Sequence, residues 1–461
     1  MRGSQLNVFW CAVLLATCGL PSMSAAFEIF GAGARSQSLS GAVVALVDDY
    51  TAVYHNPAGM VFGKQSVGLG LRGVYDRSSV LLMPRPTGYE PPNYGTRVNE
   101  RSDTPEAGAS GSVVLGGSFA PLDQKLTISG VAMLPFDGVA GFDTRYADER
   151  EQYFSQRLGF TRLGERVERE AFGFGLAYAL QPWLAMGLGI VFLPAVETVN
   201  YVYTPNPVEP ELAYLNVGVK NGIEQAVTAG LLIKANDFIS IGLAFRDEVR
   251  LSMTGRNDIQ VAGAEDDGVV LQPLVAYQNY QPLKLTAGIA GTTRGGTSLS
   301  LDGAWVGWSR YADDHGHVPN FEDVLEWSVG IEVPYANRST ARFGGAWRPS
   351  PVPPQDGRYN YVDNDRVAFS VGGGKALEVW GRDFQIDIGV QVQWLRPRSI
   401  KKKVLTTYPK CSEGETRLCD EVEDQTDRPE TIGLQTGNPG FPGYSHGGYM
   451  ISAGMDLKWI F

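Results

Sequence analysis

The 461-residue chain alternates apolar and polar positions in one short segment after another. The clearest segment spans residues 383–395. Phe384, Ile386, Ile388, Val390, Val392 and Trp394 share one parity; Gln385, Asp387, Gly389, Gln391 and Gln393 share the other. Side chains of a strand point to opposite faces with period 2, so this is a strand with one wholly apolar face. Residues 66–75 and 238–246 repeat the pattern, as do 284–291, 298–308, 326–333, 340–348 and 367–373. Residues 112–120, 125–134, 171–180, 183–193 and 222–234 follow it less regularly. With the C-terminal segment they number about fourteen, each about long enough to cross a bilayer when tilted.

The connections alternate in length. Short ones fall at 121–124, 181–182, 235–237, 293–296, 334–339 and 374–382. Long ones fall at 76–111, 135–170, 194–221, 252–282, 311–323, 349–366 and 396–447. Tight turns at one end and long loops at the other predict an all-β fold, a transmembrane antiparallel β-barrel of about 14 strands. A soluble sandwich has no reason to keep this order. Within the loops, residues 148–170 read as a surface helix, and Lys401, Lys402 and Lys403 as a solvated charge run.

The C-terminal segment places Tyr449, Ile451, Ala453, Met455, Leu457, Trp459 and Phe461 on one face and Ser452, Asp456 and Lys458 on the other. A Lys at mid-depth on the lipid face costs about 2–4 kcal/mol, so Lys458 belongs to the lumen or the interface.

The chain begins like an exported protein. Arg2 precedes a mostly apolar run from Leu6 to Leu20, too short for a transmembrane helix. Ser24, Ala25 and Ala26 supply the small residues of a cleavage site, placed after Ala26. The expected division is a signal peptide at 1–26, an N-terminal hatch at 27–62 and a barrel at 63–461. Gly31 to Gly59 is rich in small residues, which suits a plug inside a lumen already crowded by side chains. Phe27 and Phe30 stand at its start, Arg35, Asp48 and Asp49 carry its charge, and Asn56, Pro57 and Ala58 close it. Pro57 fixes its own φ and biases Asn56 away from helix, leaving the Asn side chain to bond nearby backbone. The three charges need partners on the wall, and Arg72, Arg246, Lys284, Asp302, Glu326, Glu332, Arg342, Asp387, Asp456 and Lys458 are candidates.

Composition narrows the choice further. Mean hydropathy is −0.12, which argues against a helical membrane protein but is normal for a barrel. The formal charge of −11 disfavours a nucleic-acid partner. Cys411 and Cys419 read as one loop disulfide in an exported chain. No cofactor motif is present. Gly31 and Gly33 begin a G-x-G, but Ser36 stands where a third Gly would be. Asp313, Asp314, His315 and His317 read as a solvated turn rather than a metal site, and Ser445 beside His446 lacks a triad's geometry. An enzyme is not expected.

Residues Gly31–Arg35, Gly41-Ala42, Asp48-Asp49 and Asn56–Gly59 together resemble the plug of the FadL/TodX (OmpP1) family of outer-membrane transporters. Phe119-Ala120-Pro121, Leu134-Pro135-Phe136 and Trp305–Ser309 fit the same resemblance. It implies a fourteen-stranded barrel with an internal hatch, in the bacterial outer membrane, working as a monomer. It also implies passive uptake of long-chain fatty acids or of aromatic hydrocarbons; a general polar porin is the other reading of the barrel. The terminal strand ending in Phe461 resembles the signal read by the barrel-assembly machinery, and lipopolysaccharide would surround the wall. Candidate ligand contacts are the apolar loop residues Leu81, Leu82, Met83, Phe136, Phe154, Leu158 and Phe160. The family's transport is thought to use rearrangement of the N-terminus, here Phe27 to Gly33, and lateral exit through the wall, here the strand at 125–134, where Gly130 weakens pairing.

Overall fold

The computed structural model describes residues 29–83, 102–103, 108–121, 125–136, 161–162, 170–204, 213–261, 269–312, 320–335, 338–354, 361–402 and 442–461. Fourteen strands form the wall. They are β1 (Ser66–Leu82), β2 (Gly108–Phe119), β3 (Leu126–Pro135), β4 (Ala171–Gln181), β5 (Leu184–Leu193), β6 (Glu224–Lys234) and β7 (Ile239–Arg246). The second half comprises β8 (Leu283–Thr292), β9 (Ser298–Gly307), β10 (Val324–Tyr335), β11 (Ser339–Arg348), β12 (Arg366–Val379), β13 (Arg382–Lys401) and β14 (Gly443–Ile460). Each pairs antiparallel with its neighbour, and β1 pairs with both β2 and β14, closing a 14-strand barrel. No helix of the described residues is long and apolar enough to cross a membrane.

Burial along the strands is inverted relative to a soluble protein. On β13, Asp387 is 1% exposed and Gln391 and Gln393 are buried, while Ile388 beside them is 53% exposed. The exposed face of the wall is therefore the apolar one, as a lipid solvent demands. Aromatic residues gather at its two ends. Phe119, Trp183, Phe238, Trp380 and Phe461 stand near the short turns; Tyr75, Trp305, Trp327, Trp347 and Trp394 stand toward the long loops. Phe384 and Trp394 stand ten positions apart on β13. At about 3.4 Å per residue and a tilt of about 40° they span about 26 Å, the height of a lipid-facing band.

The short connections close tightly. β12 turns into β13 through Trp380 and Gly381, both at positive φ (54° and 72°), the pairing of a two-residue hairpin turn whose twist matches the strands. The long connections, expected as loops, carry strands of their own. Val196–Thr204, Ala213–Asn221, Val249–Val261 and Val269–Gln281 form a separate four-stranded sheet. Thr161–Arg162 pairs in parallel with Tyr361–Val362, so at these two residues the expected surface helix gives way to strand.

β1 also runs farther than expected, to Leu82 instead of Tyr75. Asp76, Arg77 and Ser78 look like a polar break, but Asp76 and Ser78 face the buried side and the alternation continues unbroken. Across Gly130 the β3 ladder is continuous on both sides, with Gly130 opposite Gly117 and Phe174.

Leu71, Met455 and Ile388 lie in one outward row near mid-depth. Met455→Lys is expected to destabilise the folded barrel by about 2–4 kcal/mol, and Arg382→Lys at the short-turn end by nearly nothing. Urea unfolding in lipid vesicles measures both.

Candidate functional site

Residues 29–62 fold against the inner face of this wall. Helix α1 (Ala34–Ser38) touches β11 to β14, and helix α2 (Ala52–His55) touches β3 to β5. A 3-10 helix, Pro57–Phe62, touches β3 to β6. The segment thus meets strands on both sides of the lumen.

The sequence explains how a chain fits there. Small residues bring backbone to backbone. Side-chain carbon at Gly187 or Gly230 would overlap Asn56, Pro57 or Ala58, and at Gly242 it would overlap the Val44 carbonyl. Asn56 is extended at φ −159°, as a residue before proline prefers. Its Oδ1 accepts from the Ala58 N–H at 3.2 Å, and its Nδ2 donates to the carbonyls of Val44 (2.8 Å) and of Leu231 on the wall (3.2 Å). One side chain thereby caps a helix, closes a turn and anchors the segment.

The wall also caps α1. Gly33 has no side chain to offer, and the Ala34 N–H donates instead to Asp456 Oδ2 at 2.6 Å. Asp302 Oδ2 accepts the Val44 N–H at 2.9 Å. Ser300, Ser370, Gln391 and Gln393 bond carbonyls of Ala42, Ser38, Gln37 and Ile29.

Seven charges join segment and wall in a closed circuit. Arg35 pairs with Asp48 (2.7 Å) and with Glu332 (2.8 Å). Arg342 bridges Glu332 (2.6 Å) and Asp387 (2.7 Å). Lys458 bridges Asp387 (3.1 Å) and Asp49 (2.5 Å), and Asp49 follows Asp48 in the chain. Three cations thus stand among four carboxylates, mostly buried, where removing one partner strands another.

The segment's own groups feel these neighbours. Burial alone would raise the Asp49 carboxyl; the Lys458 ammonium and the Thr51 hydroxyl outweigh it and hold it well below the usual range. Burial alone would lower the Arg35 guanidinium; Glu332 and Asp48 overcome that and raise it. His55 is pushed down to about 4 by burial, against the opposing bond of Nε2 to the Ala32 carbonyl (3.0 Å). It is neutral at pH 7.

Above the segment, toward the long loops, the buried face carries a belt of cations. Arg246 and Lys284 stand opposite each other on β7 and β8, and Arg348 and Arg366 on β11 and β12. Lys284 pairs with Glu326 at 2.6 Å, and the Arg246 guanidinium lies over the Tyr54 ring at 4.7 Å. Ile29 and Phe30 pack with Val74, Leu395 and Met450 in an apolar cluster beside this belt, with Phe30 fully buried. At the long-loop end Tyr280, Trp308, Tyr311, Phe321 and Tyr361 form an aromatic cluster.

The sequence-proposed ligand residues do not gather in one place. Leu81 is 44% exposed on the outer face, Leu82 is buried with Val80, Val362, Ile400 and Tyr444, and Met83 bonds the Gly443 carbonyl. Phe136 is exposed just beyond β3. Phe27, Phe154, Leu158, Phe160, Cys411 and Cys419 lie outside the described residues. Arg348 and Arg366 are not among the wall partners expected from sequence, and Gln391 and Gln393 are expected only on the polar face of their strand. Their signal was available: each is a polar residue at an inward register position, Arg348 and Arg366 at strand ends and Gln391 and Gln393 in mid-strand.

A closed wall with an apolar outer face, and a chain segment held to its inner face by polar bonds, defines an outer-membrane transport barrel. A sequence model described as "Outer membrane protein transport protein (OMPP1/FadL/TodX)" matches residues 20–418, and the chain belongs to that family. It is a bacterial outer-membrane transporter of hydrophobic compounds and not an enzyme. Searched against curated proteins, the sequence finds no match. Among solved structures it is similar in fold to a Pseudomonas aeruginosa FadL homologue, with TM-score 0.60, 15% identity, and 96% of this chain and 99% of that one covered. The P. putida toluene transporter TodX aligns at TM-score 0.53 and 14% identity over 94% and 99% of the two chains. The Ralstonia pickettii toluene transporter TbuX aligns at 0.50 and 14% over 94% and 100%.

The His55 value carries a pH consequence. A released segment takes up a proton at about 6.5, and the packed one only at about 4. Acidifying from pH 7 to pH 4.5 is therefore expected to loosen residues 29–62, whereas the Asp49 contribution persists until the pH falls below about 3.8. Hydrogen exchange of the segment measures it; His55→Gln should flatten the change across this window.

Proposed function

We propose that this transporter carries long-chain fatty acids by passive diffusion gated by an N-terminal hatch, residues 27–62. The carrying observation is the belt of Arg246, Lys284, Arg348 and Arg366 with Glu326 among them, set beside the apolar cluster of Ile29, Phe30, Val74, Leu395 and Met450. A belt of four cations suits an anionic head, and the adjoining cluster suits an acyl chain, each buried CH₂ contributing about 0.8 kcal/mol. A hydrocarbon without a head group would make no use of the belt.

In this reading Gly31 to Gly59 is a stationary plug anchored by Asn56, Pro57 and Ala58, and the residues from Phe27 to Phe30 are the moving gate. A leader ending at Ala26 is removed on export, and the barrel works as a single copy surrounded by lipopolysaccharide. The terminal strand serves assembly of the wall. Leu81 and Phe136, exposed near the long loops, are candidate first contacts for an apolar ligand.

Aromatic hydrocarbons are the second reading. The cluster of Tyr280, Trp308, Tyr311, Phe321 and Tyr361 at the mouth favours it, as do the relatives known as toluene transporters.

Uptake in a strain lacking its own transporter separates the two. Accumulation of oleate with no gain in toluene entry is the expected outcome, and toluene alone would reverse the assignment. Deleting residues 29–62 is expected to leave the wall folded and to turn a nearly silent protein into an open pore in planar bilayers; unchanged conductance would remove the hatch.

A further inference from the structure

The outer face of the wall changes character where the first and last strands meet. On β1, β14 and β13 the outward residues form rungs fixed by the ladder. Leu71, Met455 and Ile388 make one near mid-depth, and Tyr75, Ile451 and Val392 make another nearer the long loops. The next rung is Arg77, Tyr449 and Trp394, where an exposed cation joins two aromatic rings. Just above it the β13–β14 ladder slips between Leu395 and Arg398, so that Arg396 and Pro397 together stand against Gly447. The bulge suits Pro397, which has no N–H to pair, and it leaves both residues exposed on the outer side. The Arg396 side chain is 63% exposed and loosely paired with Asp365 at 3.7 Å. Asp365 also accepts the Ser350 N–H at 2.9 Å. Farther out on the same face stand Ser79, Ser445, Ser399 and the exposed Lys401.

Depth gives this patch its meaning. Trp394 marks the upper edge of the lipid-facing band, and Arg396 lies two residues on, about 5 Å beyond it at the same rise and tilt. That is the level of lipid head groups. Arg77 shares the Trp394 rung, and its long stem lets the guanidinium rise to the same level. The strands carrying Arg77 and Arg396 lie two spacings apart, about 10 Å. Between them β14 presents Gly447, so the floor of the gap is bare backbone. Elsewhere on the long-loop rim, outward residues such as Trp305, Leu325 and Trp347 are apolar.

We propose that this seam is a binding site for a phosphorylated glycolipid of the outer leaflet, the lipid A part of lipopolysaccharide. Arg77 and Arg396 grip a phosphate over Gly447, because a guanidinium fork matches phosphate oxygens with paired bonds. The phosphate takes Arg396 from its loose pair, and Asp365 keeps the Ser350 N–H. Lys401 and the serine hydroxyls meet the rest of a broad, sugar-based head. The acyl chains lie on the rungs below, from Tyr75, Ile451 and Val392 downward. A soluble anion would make no use of that apolar wall, and a glycerophospholipid head is too small to reach from Arg77 to Lys401. The bound lipid spans β1, β14 and β13 and so braces the seam that closes the barrel. The site gives the lipopolysaccharide expected around the wall a defined contact, and it is independent of the cargo.

Native mass spectrometry of the full protein in nonionic detergent tests it. Lipid-stripped protein is titrated with lipid A, with dephosphorylated lipid A and with phosphatidylglycerol, and inorganic phosphate is added as competitor. Each variant is first checked for the heat-dependent gel shift of a closed barrel. Lipid A is expected to bind at least about tenfold more tightly than either other lipid, and millimolar phosphate should not displace it. Arg77→Gln with Arg396→Gln should weaken lipid A binding about tenfold or more, the factor carried by one hydrogen bond to a charged group. Arg77→Lys with Arg396→Lys keeps the charge and loses the fork, and should fall between. Arg382→Gln removes an exposed cation over Trp459 at the short-turn end and should change nothing. Equal binding of dephosphorylated lipid A or of phosphatidylglycerol overturns the proposal, as does full displacement by phosphate. Lipid A held equally by wild type and by the Gln pair would keep the surrounding lipopolysaccharide and overturn this site.

Discussion

Everything in this molecule depends on closing one ladder. Ser66 to Leu82 on the first strand pairs residue by residue with Ile460 back to Tyr444 on the last. In hydrocarbon an unpaired backbone N–H or C=O has no water to turn to, so a sheet is stable there only without edges. Closure at this seam satisfies the wall's backbone, turns one face of every strand toward lipid, and creates an interior that only the chain itself can fill. The inverted burial of Asp387 and Ile388 is a direct consequence.

That interior sets the terms for the N-terminal segment. Leu39, Val53, Met60 and Val61 of the segment share one buried apolar cluster with Val131, Met133, Val191 and Leu232 of the wall, and polar bonds fix the segment's position. Wall carboxylates take its free N–H groups, wall amides and hydroxyls take its carbonyls, and seven charges run in a circuit between the two. Such bonds are directional and specific, and each contributes modestly because water competes for it. In the proposed mechanism a segment held this way stays seated as a body. Arg35 pairs with Glu332, and the Ile29 carbonyl accepts from the Arg348 guanidinium and the Gln393 amide.

Much of this was legible in the sequence, and the reason is the period of 2. The wall follows from alternation, and the order of short and long connections follows from a membrane that allows loops only outside it. The four-stranded sheet above the wall was missed because alternation outside the bilayer carries no face requirement. The length of β1 was missed because Asp76, Arg77 and Ser78 resemble a turn, although polar residues are at home on the lumen side. In the plug, Asn56-Pro57 announced its own geometry, since proline restricts both residues. The partners of Arg35 and Asp49 lay about 300 and 400 residues away, and only strand register brings Glu332 and Lys458 to them. Arg348 was hidden for the same reason.

The central claim is that the body of the segment stays fixed while transport occurs beside its N-terminal end. Ser40 and Ser370 touch through their hydroxyls at 2.7 Å, one on the segment and one on the wall. Cysteines at both positions, in a chain whose Cys411 and Cys419 are replaced by serine, would be close enough to form a disulfide. The direct measurement is fatty-acid uptake by this variant, oxidised and then reduced. Equal uptake in the two states is the predicted result. Uptake lost on oxidation and restored on reduction would contradict the account, because it would mean that the whole plug must move.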